Sequence, residues 1–331
     1  MPAWGEILGE FHNLIRNRHP NALDWIRRKY LAELYAHTGR AVILYSTRWT
    51  QPGRNIPPEM LSVNDEDLQA LMTVLNGLSE TELDLIIHSP GGSIEAAETF
   101  VTYLRSKFNN IRVIVPQQAM SAATMIACSA DEIVLGKHSF LGSIDPQFIL
   151  NTPLGHRVVT AQNIEDQFER AQEECADPAK MGAWIPILNQ YGPDMLQKCQ
   201  HASKLCESLT SGWLQSFMFK DMPVLNAKRI SKKIASWLSS HKQFRTHGRH
   251  ISREELQKKG LKISFLEADP KFQDLALSIF HATTITFDNS QIVKIVENHS
   301  GKAFMKTFNT PAIANPPAAL PVVNPPTPPA R

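Results

Sequence analysis

Residues 83–124 read LDLIIHSPGGSIEAAETFVTYLRSKFNNIRVIVPQQAMSAAT, and their pattern decides the fold. Two short apolar runs, 83–87 and 111–115, each pass through a turn into a stretch of good helix formers, 93–107 and 121–129. Apolar runs with almost no polar alternation belong to strands covered on both faces, which is the situation of a parallel sheet. Working outward, 41–45 (AVILY) and 132–135 (EIVL) add two more strands, and 64–75 adds a helix. Strand and helix alternate in units of roughly 30 residues, so the fold class is α/β, a parallel sheet covered by helices.

Both turns lie where such folds place their sites, at the carboxyl ends of the strands. In Ser89-Pro90-Gly91-Gly92-Ser93 the tandem glycines let the backbone approach a ligand and expose its N–H groups. An ordinary turn needing left-handed residues accounts for the same glycines. In Gln118-Ala119-Met120-Ser121-Ala122-Ala123 a serine stands at the start of a helix. It is either an N-cap or a nucleophile raised above the sheet edge. Because the two connections are consecutive, their strands should be neighbours and both turns should open on one edge. The N–H groups of Gly92 and Ala122 can then converge on one acyl oxygen, as acyl transfer requires.

Composition narrows the classes. The 331 residues are 43% hydrophobic and 20% charged, as in a folded globular protein, and a net charge of +2 leaves no broad footprint for nucleic acid. Four cysteines, Cys128, Cys175, Cys199 and Cys206, form no C-x-x-C pair, and no signal segment opens the chain, so a cytoplasmic location is expected. The longest apolar tract, 111–135, is interrupted by Gln117, Gln118, Asp131 and Glu132 and cannot span a bilayer. Residues 1–38 read as helix with Trp4, Ile7, Leu8, Phe11 and Ile15 on one stripe; packing on its own domain or a sister subunit is set against peripheral membrane association.

The stretches LIIHSPGGSIEAAETFVTYLRS and VIVPQQAMSAATMIACSADEIVLGKHSFLGSIDPQ resemble the Clp protease/crotonase superfold, and within it the serine dehydrogenase proteinase family, close to signal peptide peptidase A. The 29-residue step from Gly92 to Ser121 is similar to that of Clp-type subunits. The resemblance implies a ClpP/crotonase-like repeated ββα core, homo-oligomers, and a serine peptidase with Ser121 as nucleophile and Gly92 and Ala122 as oxyanion hole. Asp145 stands where the Clp-type histidine would be, which points to the Ser–Lys dyad of the signal peptide peptidase A branch. Lys180, after a Pro turn 59 residues past the serine, matches its lysine best, with Lys198 and Lys204 behind it. The substrates implied are membrane-associated or signal-type peptides. A crotonase-like acyl-thioester enzyme and a catalytically silent oligomeric scaffold are the alternatives. No cofactor is implied, and no lysine sits in a motif for a Schiff base.

The domains expected are a helical segment at 1–38, a peptidase domain at 39–307 and a disordered Pro-rich tail at 308–331. The peptidase domain divides into a core (41–150), a helical extension (155–240) available for oligomer contact, and a closing segment (241–307). Within the last, 283–287 (TTITF) and 291–296 (QIVKIV) read as a terminal hairpin or strand pair. The basic stretch 228–262 reads as a solvated face, with an anion or lipid site as the alternative. His241, His247 and His250 have no partner at metal-binding spacing, so no metal site is expected. Cys128 reads as a packed side chain.

Overall fold

The computed structural model describes residues 3–51, 55–152 and 155–309; the tail expected from residue 308 falls almost wholly outside them. Helices α1 (Trp4–Arg16) and α2 (Ala22–Thr38) precede strand β1 (Ala41–Thr47). After α3 (Pro58–Leu61) and α4 (Glu66–Leu75) the chain runs β2 (Glu82–His88), α5 (Ile94–Lys107), β3 (Asn110–Val115), β4 (Gln118–Ala119), α6 (Ala122–Cys128) and β5 (Glu132–Leu135). Strand β6 (Phe140–Leu141) and the antiparallel pair β7 (Gln147–Thr152) and β8 (Gly155–Thr160) lead into α7 (Ala161–Glu174), α8 (Pro178–Leu188), α9 (Met195–Trp213) and α10 (Val224–Ser239). The closing segment holds α11 (His241–Phe244), β9 (Ile251–Ser252), α12 (Arg253–Lys259), β10 (Ile263–Phe265), α13 (Pro270–Asp288), β11 (Ile292–Asn298) and β12 (Ala303–Thr307).

The main sheet has the order β10-β5-β3-β2-β1-β11-β12. Its first five strands are mutually parallel, and β11 and β12 complete it antiparallel. Successive residues serve opposite faces, as the two-residue period of a strand dictates. Ile43, Tyr45, Leu85, Ile87, Val113 and Val115 pack under α4, α5 and α6. Val42, Leu44, Ile86, Ile114 and Val134 pack on Leu31 and Leu34 of α2 and on Leu275 and Ile279 of α13. Two buried faces explain the unbroken apolar runs. At ~1.5–3 kcal/mol for each large side chain, they and not the turns at the sheet edge carry the stability.

Part of the amino-terminal stripe packs on the rest of the chain, with Ile7 and Phe11 buried in one cluster with Ala282 and Ile285 of α13, while Trp4 and Ile15 of the same stripe are exposed. The single helix expected there is two, broken where Arg18 (φ 54°) and Asn21 (φ 57°) take left-handed backbone beside Pro20. The hairpin or strand pair expected at 283–296 is corrected: TTITF is the last turns of α13, and β11 pairs instead with β12. Its threonines are tolerated in a helix because Thr283, Thr284 and Thr286 donate their hydroxyls to the carbonyls of Ile279, Phe280 and Ala282. Strand β8, paired with β7, lies in a stretch beyond residue 153 that was expected to be largely helical. Among the described residues no helix is long and apolar enough to cross a membrane.

Candidate active site

Beyond His88 the chain leaves the main sheet and is held on both sides. On one side Ser89 N–H donates to the Gln118 carbonyl at 3.2 Å, and Met120 N–H donates to the Ser89 carbonyl at 3.0 Å. On the other, Val63 N–H donates to the Gly91 carbonyl at 2.7 Å and Ser93 N–H to the Val63 carbonyl at 2.9 Å. The turn between is pressed against the second junction. Gly91 has φ 92°, and a Cβ there would stand 2.4 Å from Met120 O and 2.7 Å from both Ala122 N and Ser121 Cβ. A Cβ at Gly92 would stand 2.2 Å from Val63 O, so a side chain at 92 displaces Val63 before it tests anything about the Gly92 amide. Tandem glycine is required by close approach on two sides.

Ala123 N–H donates to the Met120 carbonyl at 2.9 Å, closing a tight turn in which Ser121 has φ 50° and ψ −121°. Those are the angles of the first central residue of a type II′ turn, a position dominated by glycine. A serine held there costs ~1–3 kcal/mol of backbone strain. Its side chain makes no capping hydrogen bond, so the N-cap alternative does not account for it. The strain instead sets a hydroxyl at the corner between the two junctions.

The bonds to Val63 use the Gly91 carbonyl and the Ser93 N–H, which leaves the Gly92 N–H facing the other way. Among the described residues neither the Gly92 nor the Ala122 N–H has a partner, whereas those of Gly91, Ser93 and Ala123 are all bonded. Gly92, Ser121 and Ala122 line one cavity of about 590 Å³, whose walls include Trp49, Ile94, Met125, Phe148, Ile149, Val158 and Cys206. Three of the four residues expected in the site are thus brought together.

Lys180 is not among them. It stands on the exposed first turn of α8, and the residues lining the cavity do not include it. Lys198 is exposed and ion-paired with Asp194 at 2.9 Å, and Lys204 is exposed on α9. Other reactive side chains near the cavity are quenched. Burial pushes the Cys128 thiol up to about 12, and burial with the charges of Glu95, Asp145 and Glu207 does the same for Cys206, so neither is a thiolate nucleophile. His88, at the end of β2, is driven down to about 4 by burial and packs against Trp49 and Phe280.

A group that the sequence reading weighed only as a metal ligand does reach the cavity. His247, in the loop after α11, lines it, and its Nδ1 lies 2.8 Å from Oδ1 of Asp145. His241 Nδ1 lies 2.9 Å from Oδ2 of the same carboxylate, and the Ser143 hydroxyl also donates to it. Burial alone would raise the Asp145 pKa, but hydrogen bonds and charge from His247, with Ser143 and His241, hold it below the ordinary carboxylate value. The signal available in the sequence was the replacement of the Clp-type histidine by Asp145, which left two histidines of HKQFRTHGRH in need of a carboxylate.

The Val63 side of the clamp has its own support. Lys294 of β11, 1% exposed, donates to the Ser62 carbonyl at 2.8 Å and to Asp67 Oδ1 at 2.7 Å, while the Tyr45 hydroxyl and Asn64 N–H donate to Asp67 Oδ2. Burial lowers the Lys294 pKa and Asp67 opposes the shift. Lys294→Met, which leaves the Asp67 carboxylate buried without its cation, is expected to cost about 3–5 kcal/mol in a urea titration. A loss under about 1 kcal/mol would show that the pair adds little.

A strained serine beside two unengaged amides, at the carboxyl edge of a parallel sheet, is an arrangement of the kind that serine hydrolases with a backbone oxyanion hole use. Residues 21–175, a little under half of the chain, are similar to the ClpP-like SDH-type serine proteinase family, whose model they match. The match names the ClpP-like SDH type and not the signal peptide peptidase A branch. Two uncharacterized proteins of Methanocaldococcus jannaschii are also similar. One is 34% identical over 126 residues, 38% of this chain and 44% of its own length. The other is 43% identical over 65 residues, 20% of this chain and 22% of its own length. The chain therefore spans less than half the length of these relatives.

Proposed function

We propose that the protein hydrolyses peptide bonds, with Ser121 as nucleophile and the Gly92 and Ala122 N–H groups as oxyanion hole. The observation that carries this is the backbone of Ser121, held at φ 50° with its hydroxyl unused by any cap, beside two amides without partners in one cavity. The family match supports a serine peptidase at the level of class. Preformed donors act on charge that develops only as the carbonyl is attacked, and so speed the reaction without tightening substrate binding. The apolar wall formed by Trp49, Met125, Phe148, Ile149 and Val158 suits an extended apolar segment, in keeping with membrane-associated or signal-type peptides cut internally. Homo-oligomer contact through 161–240 fits the exposed Met181, Ile185, Val224 and Leu225. A Ser–Lys dyad through Lys180 is the arrangement that competes with a base drawn from the cavity.

A fluorophosphonate probe is expected to label the full chain once, with the adduct on the peptide carrying Ser121 by mass spectrometry. Labelling elsewhere, or none under conditions where the chain is folded, overturns the reading, since only an activated serine reacts.

A further inference from the structure

We propose that His247 is the general base of this site and that Asp145 is its positioning residue. The inference rests on Ser121 being the nucleophile. A serine hydroxyl needs a neighbouring base to become reactive, and His247 is the one imidazole among the residues lining the cavity. A carboxylate can only accept, so the 2.8 Å contact with Asp145 makes Nδ1 the protonated nitrogen of His247. Nε2 on the opposite edge of the ring is then the acceptor, and among the described residues nothing bonds it. That is the tautomer a base needs, fixed by a buried anion as in other serine hydrolases. Here the histidine follows its aspartate by 102 residues and comes from the closing segment, so the carboxylate stands near the nucleophile's own junction and the imidazole is delivered from outside the core.

The proton balance is complete without a lysine. As Ser121 Oγ bonds to the carbonyl carbon, its proton passes to Nε2, and the carbonyl π pair moves onto the oxygen held by the Gly92 and Ala122 amides. When the C–N bond breaks, Nε2 returns that proton to the departing amine. Water then adds to the acyl-enzyme, giving its proton to Nε2, which passes it to Oγ as the carboxylic acid leaves. Asp145 stays ionised throughout and steadies the imidazolium.

The titratable groups around the base are on four elements: Asp145 after β6, His241 of α11 on the same carboxylate, Glu95 of α5 and, on the cavity wall, Cys206 of α9, whose thiol stays protonated across the range tested. The test measures kcat/KM for a fluorogenic peptide, and the rate of fluorophosphonate labelling, from pH 5 to pH 10 on the full chain. Wild type is expected to lose rate on acidification within the range of about pH 5–8 where imidazoles change charge. His247→Ala is expected to fall about 10²–10⁴-fold and to lose that limb, with partial recovery in added imidazole. Should His247→Ala not fold, His247→Gln replaces it, since an amide can still donate to Asp145 but cannot take the proton. Asp145→Asn, lacking the anion that steadies the imidazolium, is expected to lower kcat with KM little changed and to move the limb to lower pH. A folded His247 variant that labels Ser121 at the wild-type rate overturns the proposal. So does a profile that rises only above about pH 8 and collapses in Lys180→Ala, the behaviour of a lysine base. If wild type neither labels at Ser121 nor hydrolyses peptide, the peptidase reading fails first and takes this one with it.

Discussion

Ser121→Ala is expected to silence peptide hydrolysis, lowering kcat/KM on the order of 10⁴-fold or more, while the circular dichroism and melting temperature stay at wild-type values. The loss follows from deleting the nucleophile, and the unchanged stability from the absence of any cap bond to lose. Ser121→Gly should be equally silent and more stable by about 1 kcal/mol, because glycine takes φ 50° and ψ −121° without the strain a Cβ brings. Turnover retained by a folded Ser121→Ala variant would remove the mechanism. A glycine variant no more stable than wild type would remove only the strain argument.

The second large effect is expected at Gly91, which makes no chemical contribution of its own. Its added Cβ would collide with Met120 O at 2.4 Å and with Ser121 Cβ and Ala122 N at 2.7 Å, all backbone or near-backbone atoms that cannot swing aside. Relief must come from moving the two junctions apart. A displacement of about 1 Å between nucleophile and oxyanion donors can cost 10²-fold in rate, so Gly91→Ala is expected to lose about 10²-fold or more in kcat. Far-ultraviolet circular dichroism should show the fold kept, because the buried sheet faces are untouched. Full activity in that variant would mean that the two turns do not act together.

What was legible in the sequence was whatever depended on short-range pattern. The apolar runs at 41–45, 83–87, 111–115 and 132–135 are strands β1, β2, β3 and β5, since burial on both faces forces unbroken apolar composition. The adjacency of β2 and β3, and so the meeting of Gly92 with Ser121 and Ala122 in one cavity, followed from consecutive connections. What was not legible depended on contacts across long stretches of chain. Asp145 finds its two histidines 96 and 102 residues away, and no spacing rule brings them together. The threonines of 283–287 favoured a strand by propensity, but their hydroxyls fold back onto a helix whose face is covered by α2. Lys180 carried a local likeness only, and α8 holds it at the surface away from the cavity.

The order of the main sheet gives the protein a timetable. The four central strands β5-β3-β2-β1 are complete by residue 135, yet the strands that flank them, β10 on one side and β11 with β12 on the other, come from residues 263–307. Until those arrive, a chain emerging from the ribosome has two bare sheet edges, lacks the Lys294 strut behind Val63, and lacks the loop that carries His247. On the mechanism proposed above, Ser121 is made early and meets its base only when the closing segment folds, so a partly made copy carries the nucleophile without the group that would activate it.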